Sequence, residues 1–544
     1  MEKQDMRKFV LDNAINYGGK ASVNSVVSHL LANFPSLKKE LKTLIPKIIK
    51  EVESVNSLGL DKQKEELEKL GGIKKKKREE TGLFDFLHIK KGQKILTAFP
   101  PGPEKYPHIG HAKALILNYL LAKEYDGKFN LRFEDTNPDL VRKEFYDIME
   151  EDFKWLGVKW DKLQYASNNM EVFYRYGEKL IKSGDAYVCY CSKETTQDNR
   201  RKGLSCKCRK DDHQLEKWKE FFRAKEGSSV VRLKIDMEHK NTTMRDPAIF
   251  RIIDQYHPRT RKKYRVWPTY DFQNSIMDGY YGVTHRIRSK EFELRSELQR
   301  HIQKLLDLKE TSTYEIARFN LEGVLSSGRE IREKIAKREL IGWDDPRLTT
   351  IAALRRRGFV PEAIRDFVVS TGISKAESKL TWDDLIAKNK KLLDEKADRY
   401  FFVWKPKKIR ILGAPDRISK IPNHPDFPKR GYRIFRSGEF FYVSDKLSKN
   451  KIYRLMHLFN VKNEKFNSIG FDKKLNASLI HWLPATKNLV RIEVLMDDAS
   501  IINGLGEGAL RKLKVGDVIQ FVRFGFVRLD KKEEKKLKFV FTHK

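Results

Sequence analysis

Between Lys94 and Pro138 the chain reads strand, helix, strand, and that order constrains its fold more than any other feature. Residues 95–99 form a short apolar run. Over residues 112–125, Leu115, Leu117, Leu120 and Leu121 supply the buried side of a helix. Phe129, Leu131 and Phe133 then alternate as a strand that stops at Thr136-Asn137-Pro138. Two strands joined through one helix lie parallel with a right-handed crossover, so an open α/β sheet follows. Residues 230–235, 264–267 and 282–287 read as later strands.

The rest of the chain differs in character. Residues 1–70 read as helices, with mixed three- and four-residue apolar spacing over 22–55 and a charged heptad-like segment at 61–70. Gly71-Gly72 and the basic run Lys74–Arg78 read as a linker; a nuclear import signal and an RNA-touching arm are alternative readings of the same charges. Residues 348–357, 361–371 and 382–396 are helical by pattern. Beyond Arg399 short β-rich runs alternate with turns at 409–412, 431–435, 440–443, 489–494 and 518–528, which predicts one or two antiparallel barrels.

No stretch approaches the roughly 18 apolar residues of a membrane span, and the N-terminus lacks an apolar core of the signal-peptide kind. A cytoplasmic protein with no membrane association is expected. The net charge of +35, from 110 Lys+Arg against 75 Asp+Glu, points to an extended polyanion as partner. A generally basic proteome is the plainer explanation of the same number.

Pro107-His108-Ile109-Gly110-His111 falls where the first strand gives way to the first helix. Unpaired N–H groups and the helix dipole make such a place an anion site. His108 and His111, three residues apart, share one face and can donate to phosphate oxygens as charge develops. Gly110 lets a nucleotide lie against the backbone.

Over Phe99–Ala114 the chain resembles the class I aminoacyl-tRNA synthetases for glutamate and glutamine, whose HIGH signature this stretch matches. The resemblance continues through Leu131–Pro138, Met244-Arg245-Asp246-Pro247, Pro268–Phe272, Gly282–His285, Gly342–Leu348 and Leu354–Gly358 to Gln520–Val527. It covers residues 90–544 well and 1–90 more loosely. It implies an α/β multidomain protein: an N-terminal helical extension and basic linker (1–88), and a Rossmann-like catalytic domain (89–325) with an acceptor-end-binding insertion near 186–262. A KMSKS-like loop and helical connecting domain (326–400) and a β-barrel anticodon-binding region (401–544) complete it. The chemistry implied is ATP- and Mg2+-dependent formation of an aminoacyl-adenylate, then transfer to the 3′ end of tRNA.

The resemblance assigns roles residue by residue. His108, Gly110 and His111 bind ATP. Leu325-Ser326-Ser327-Gly328-Arg329 takes the place of the mobile KMSKS loop, with Ser326, Ser327 and Arg329 at the phosphates and Arg329 standing where the lysine is missing. Glu134 pairs with the α-ammonium, and Tyr270 and Asn274 line the amino-acid pocket. Arg288 decides between the two amino acids: glutaminyl members carry a small uncharged residue there, and a buried γ-carboxylate needs a countercharge. Glutamate is therefore expected, in the archaeal and eukaryotic branch, with a glutaminyl enzyme as alternative. Ala98 replaces an arginine common in the family, leaving more of the carboxylate binding to Arg288. The expected partners are tRNA(Glu), also tRNA(Gln), glutamate, and a protein partner on the N-terminal helices. Tyr432, Phe435 and Arg523 are among many candidates for stacking on anticodon bases.

Cys189, Cys191, Cys206 and Cys208 are the only cysteines. Two C-x-C pairs offer four thiolates for a tetrahedral structural Zn2+, with His213 as a spare ligand. Four reduced thiols or a redox pair remain the alternative. A small-molecule adenylyltransferase would need neither the C-terminal β region nor the positive charge. A non-catalytic tRNA-binding paralogue draws support only from Ala98 and Arg329.

Overall fold

The computed structural model describes residues 3–34, 37, 40–71, 82–90, 92–319, 321, 323–325, 327–376 and 380–544. The basic run Lys74–Arg78 and Ser326 lie outside the described residues. Two compact units divide the chain, Met1–His88 and Ile89–Lys544.

The first unit packs helices α1 (Lys3–Asn16), α2 (Val23–Asn33), α3 (Leu41–Asn56) and α4 (Leu60–Lys69) around Val10, Leu30, Ile48 and Val55. Gln63 is fully buried there, and its Nε2 donates to the carbonyls of Gly19, Val55 and Leu58 at 2.9–3.1 Å. One amide on α4 thus bonds carbonyls at or just past the ends of α1 and α3, among them that of Val55, which also accepts from the Leu58 N–H at 3.0 Å.

The second unit begins with β1 (Leu96–Phe99), α5 (Ile109–Glu124), β2 (Lys128–Phe133), α6 (Lys143–Trp155), β3 (Lys162–Tyr165) and α7 (Met170–Lys182). An insertion follows: β4 (Ala186–Cys189), α8 (Lys193–Lys202), α9 (Gln214–Phe221), β5 (Val230–Leu233), β6 (Ala248–Ile252) and β7 (Val266–Pro268). The chain returns through α10 (Tyr270–Tyr281), β8 (His285–Ser289), α11 (Glu293–Leu305) and β9 (Ser312–Ile316). The sheet order β3-β2-β1-β8-β9 is parallel throughout, the doubly wound arrangement expected from the strand-helix-strand pattern.

The three later strands divide between two sheets. The runs at 230–235 and 264–267 belong to the insertion's own antiparallel sheet, β4-β5-β6-β7, and only the run at 282–287 joins the parallel sheet, as β8. Both kinds of strand are apolar and short, so local pattern does not distinguish them.

Alternation along the parallel strands separates two faces. Thr97, Phe129, Leu131 and Ile287 face α5, where Asn118 accepts from the Ile287 N–H at 3.0 Å and donates to its carbonyl at 2.8 Å. Ala98, Arg132, Glu134, Arg286 and Arg288 share the opposite face, which α10 covers.

Three helices follow the short α12 (Gly328–Ala336): α13 (Ile351–Arg357), α14 (Pro361–Ser370) and α15 (Trp382–Lys396). The C-terminal region is β throughout. A seven-stranded sheet starts at Arg399–Tyr400 and ends at Phe402–Trp404, adjacent pieces of one segment, so it wraps round on itself. Phe401 and Val403 point into one core, with Phe441 and Trp482; Phe402 points into the other, with Val494 and Phe521. The pairing is mostly antiparallel, with parallel pairs of Arg399–Tyr400 on Val518–Phe521 and of Val490–Leu495 on Lys536–His543. The run expected at 518–528 is two strands, Val518–Phe521 and Gly525–Lys532, because Arg523 turns the chain at φ 63°.

Candidate active site

The N-terminal end of α5 is built by its own cap. His108 is the N-cap in extended backbone (φ −122°, ψ 175°), and its Nδ1 accepts from the Gly110 N–H at 3.0 Å. The His108 N–H in turn donates to Nδ1 of His111 at 3.1 Å, a reciprocal capping box made from two imidazoles. Their ring centroids are 4.0 Å apart. With both Nδ1 atoms accepting, each neutral ring carries its proton on Nε2. Burial pushes His108 down to about 3, helped by Lys105 and Arg318, and pushes His111 well below the usual range. Neutral donors therefore face the site. At Gly110 a Cβ would lie 2.8 Å from the His108 ring, so glycine is required first by the histidine that folds back over it.

The KMSKS-like segment lies beside this cap only in part. Ser327 caps α12, accepting from the Glu330 N–H at 3.4 Å. At Gly328 a Cβ would meet the Lys105 side chain at 2.8 Å, and a cleft between Lys105, His108, Gly328 and Thr350 separates the two helix starts. Arg329 is turned away: it is exposed and pairs with Glu333 at 3.0 Å. The cations felt by His108 are Lys105 and the exposed Arg318, neither singled out by motif reasoning.

Next to the cap, on the α10 face of the sheet, lies a buried polar cluster. Arg132 donates to Asp278 at 2.7 Å and to Glu134 Oε1 at 3.0 Å, and Asn274 Nδ2 donates to the same Glu134 oxygen. Arg286 donates to Asp278 at 2.5 Å, to Gln299 at 2.9 Å and to the Asn274 carbonyl oxygen. Glu134 Oε2 is buried with no hydrogen-bond partner, and burial pushes its carboxyl up to about 7 against the pull of Arg132 and Arg286. Arg288 is 6% exposed and donates to Gln299 Oε1 at 2.8 Å and to the Tyr270 hydroxyl at 3.1 Å, both neutral. Burial lowers its pKa from the ordinary guanidinium value, and among the described residues no carboxylate lies within ion-pair distance of it.

Glu134, Tyr270, Asn274 and Arg288 are thus brought into one cluster. Sequence reasoning missed Arg132, Arg286 and Gln299. The first two had a signal: each sits two residues before a chosen residue on the same strand, hence on the same face. Arg286 is also the neighbour of Ala98 on the adjoining strand, and it is paired with Asp278. Gln299 comes from α11 and had no local signal.

In the insertion, β4 and the loop before α9 bring the four cysteine sulfurs within 4.8 Å of one another. Cys206 Sγ lies 3.5 Å from that of Cys189 and 3.2 Å from that of Cys191. Tetrahedral Zn–S bonds of about 2.3 Å place sulfurs about 3.8 Å apart, so the set fits that ion. His213 stands outside it, exposed beside Asp211. Of the anticodon candidates, Tyr432 is exposed, Phe435 is buried in a core, and Arg523 forms a two-bonded pair with Asp445 at 2.8 and 2.9 Å.

The family profile described as tRNA synthetases class I (E and Q), catalytic domain, matches residues 94–395. Two anticodon-binding-domain profiles of the same family match residues 397–479 and 479–530. The chain is 41% identical over 566 residues to a glutamate–tRNA ligase of Pyrococcus furiosus, covering 99% of each. It is 41% identical over 537 residues to that of Methanocaldococcus jannaschii, covering 96% of each. A crystal structure of the Elizabethkingia anophelis glutamate–tRNA synthetase aligns at 18% identity and a TM-score of 0.43, over 55% of this chain and 71% of that one. Profiles along 94–530 and full-length identity of this order leave one conclusion: the chain belongs to the class I tRNA synthetases for glutamate and glutamine.

Proposed function

We propose that the chain is a glutamate–tRNA ligase: it joins glutamate to the α-phosphate of ATP, with Mg2+ at the phosphates, and passes the glutamyl group to the 3′ end of tRNA(Glu). The carrying observation is Arg288, a buried guanidinium held by two neutral acceptors. A glutamate γ-carboxylate supplies the charge it lacks. Glutamine's carboxamide leaves it uncompensated, and this is why the glutaminyl alternative is disfavoured. The unpaired Glu134 Oε2 is the complementary feature, an acceptor for the α-ammonium. Tyr270 and Asn274 then act by holding these two charges in place.

Neither step requires a protein nucleophile, so the residues act by position and charge. The Nε2–H groups of His108 and His111 donate to phosphate oxygens as negative charge builds. Lys105 and Arg318 add positive potential at the same place. The segment at 325–329 is assigned to grip the phosphates. For Arg329 this requires release from Glu333 and rotation toward α5, a modest cost for an exposed pair. Cys189, Cys191, Cys206 and Cys208 would hold a zinc ion that fixes the insertion's fold.

Acceptance of tRNA(Gln) as a second substrate is not fixed by the amino-acid site, and the charging assay below decides it. The reading also places the chain in the cytoplasm, where these substrates meet. Among the described residues no helix is long and apolar enough to cross a membrane. For a protein partner on the N-terminal helices, support is confined to scattered exposed side chains such as Tyr17 and Ile49.

The test is ATP–pyrophosphate exchange with glutamate and with glutamine, in the presence of tRNA, followed by charging of tRNA(Glu) and tRNA(Gln). Glutamate-dependent exchange is expected. Exchange with glutamine alone, or none with either, overturns the proposal.

A further inference from the structure

His108 can cap α5 only while its backbone is extended, and that conformation is imposed from outside the motif. Residues 107–109 form a short antiparallel bridge with residues 349–351: His108 faces Thr350, the Ile109 N–H donates to the Thr349 carbonyl at 3.0 Å, and the Ile351 N–H donates to the Pro107 carbonyl at 2.9 Å. Thr350 is at the same time the N-cap of α13, accepting from the Ala353 N–H at 3.1 Å. Its hydroxyl donates to the Trp343 carbonyl at 2.5 Å, and Trp343 stacks on Tyr106 with centroids 5.2 Å apart. The piece of chain that orients the first histidine is therefore continuous with the start of α13.

α13 is seven residues long, about 10 Å of rise. Its far end is three consecutive arginines, each tied to a different part of the molecule. Arg355 donates to Glu151 on α6 at 2.8 Å. Arg356 donates to Asp530, on the C-terminal strand Gly525–Lys532, at 2.9 and 3.2 Å, and to Asp344 at 3.1 Å. Arg357 is buried, and it donates to the Thr542 carbonyl on the last strand at 2.7 Å and to the Pro346 carbonyl at 3.1 Å. The Thr542 hydroxyl returns a bond to the Arg357 carbonyl. Gly358, at φ 94°, closes the helix against the same strand, where a Cβ would strike Thr542 Oγ1 at 2.8 Å.

A buried guanidinium without a carboxylate is costly to stability, yet its flat fork fixes two carbonyls in one geometry. Short rods carry a displacement along their length with little loss, because a helix does not compress. We propose that Arg356 and Arg357 are positioning residues for His108: they seat α13 on the C-terminal sheet, and α13 holds the bridge that keeps the histidine cap in its phosphate-facing conformation. This rests on the ligase reading above. It adds to that reading that the C-terminal sheet, beyond meeting tRNA, sets the geometry of the adenylation step.

The experiment uses the full chain. Asp530→Asn, Asp530→Glu and Arg357→Met are compared with the parent by glutamate-dependent ATP–pyrophosphate exchange at saturating tRNA, well below each protein's melting temperature. Asp530→Asn and Arg357→Met are expected to lower kcat about tenfold or more, with KM for ATP and glutamate and Kd for tRNA within about twofold, the pattern of an interaction lost only in the transition state. Asp530→Glu, which keeps the charge opposite Arg356, is expected to recover most of kcat. Unchanged kcat in folded Asp530→Asn and Arg357→Met overturns the proposal, and so does a loss confined to tRNA affinity. If Arg357→Met does not fold, the pair at Asp530, a partly exposed side chain, decides alone by the same criteria. A parent enzyme without glutamate-dependent exchange is a failure of the ligase reading and is seen before any variant is made.

Discussion

Arg288 and Glu134 are complementary: one is a buried cation held by neutral oxygens, the other a buried carboxylate with one oxygen unbonded. Each is costly by itself and satisfied by one amino acid, glutamate. Arg288→Ala should therefore lower kcat/KM for glutamate by about 3 kcal/mol or more, the scale of removing one partner of a buried ion pair. Discrimination against glutamine should shrink in the same variant. A fall that affects both amino acids equally would count against a role in selection. The pH dependence has a definite sign. Glu134 is raised to about 7, so below that pH a proton competes with the α-ammonium, while above it the carboxylate is free to pair. Glutamate KM should rise as pH falls from 8 to 6, approaching about tenfold per unit at the acid end. The histidines add no limb of their own in this range, since His108 lies near 3 and His111 well below its usual value. Steady-state kinetics across that interval checks both statements, and a flat KM refutes the first.

Between residue and domain, single side chains splice elements together. β1 and β8 share one register pair, Thr97 with His285, and beyond it the Asn118 amide bonds both backbone groups of Ile287. Asn118→Leu leaves a buried N–H and a buried carbonyl unpaired, at about 1–3 kcal/mol each. A clear drop in melting temperature should follow; a variant melting with its parent would show that the splice is dispensable. In the insertion the cysteines lie on two separate segments, which the Gln214 side chain also joins by accepting from the Val188 N–H at 2.8 Å and donating to the Cys208 carbonyl at 2.9 Å. Elemental analysis should find one zinc per chain, lost in Cys206→Ser. Limited proteolysis should then cut within 189–208 in the variant and spare the parent. No zinc in freshly purified parent would return the cluster to four reduced thiols.

Across the whole molecule, the charge of +35 gives a further expectation. Binding of tRNA should weaken at least about tenfold between 50 and 200 mM salt, as phosphate contacts release counterions. Affinity indifferent to salt over that interval would assign the charge to some other cause. The molecule also shows how far sequence reading reached. The parallel sheet was legible because hydrophobic period and crossover order are local properties, and His108, His111, Glu134 and Arg288 were legible because a motif fixed them. Which sheet each later strand joins was not legible, because an antiparallel β5 and a parallel β8 are both short apolar runs. Gln299 was invisible because its meaning depends on two arginines from another strand. What the sequence alone determined was the chemistry on offer: two imidazoles at a helix start, an arginine three residues after His285, four thiols in a short window. What only the tertiary structure decided was charge balance and attachment. It decided that no carboxylate among the described residues pairs with Arg288, that Arg329 faces solvent, and that α13 joins the histidine cap to the C-terminal sheet. Those properties belong to pairs of residues far apart in the chain, and neither local periodicity nor motif spacing encodes which distant group will be the neighbour.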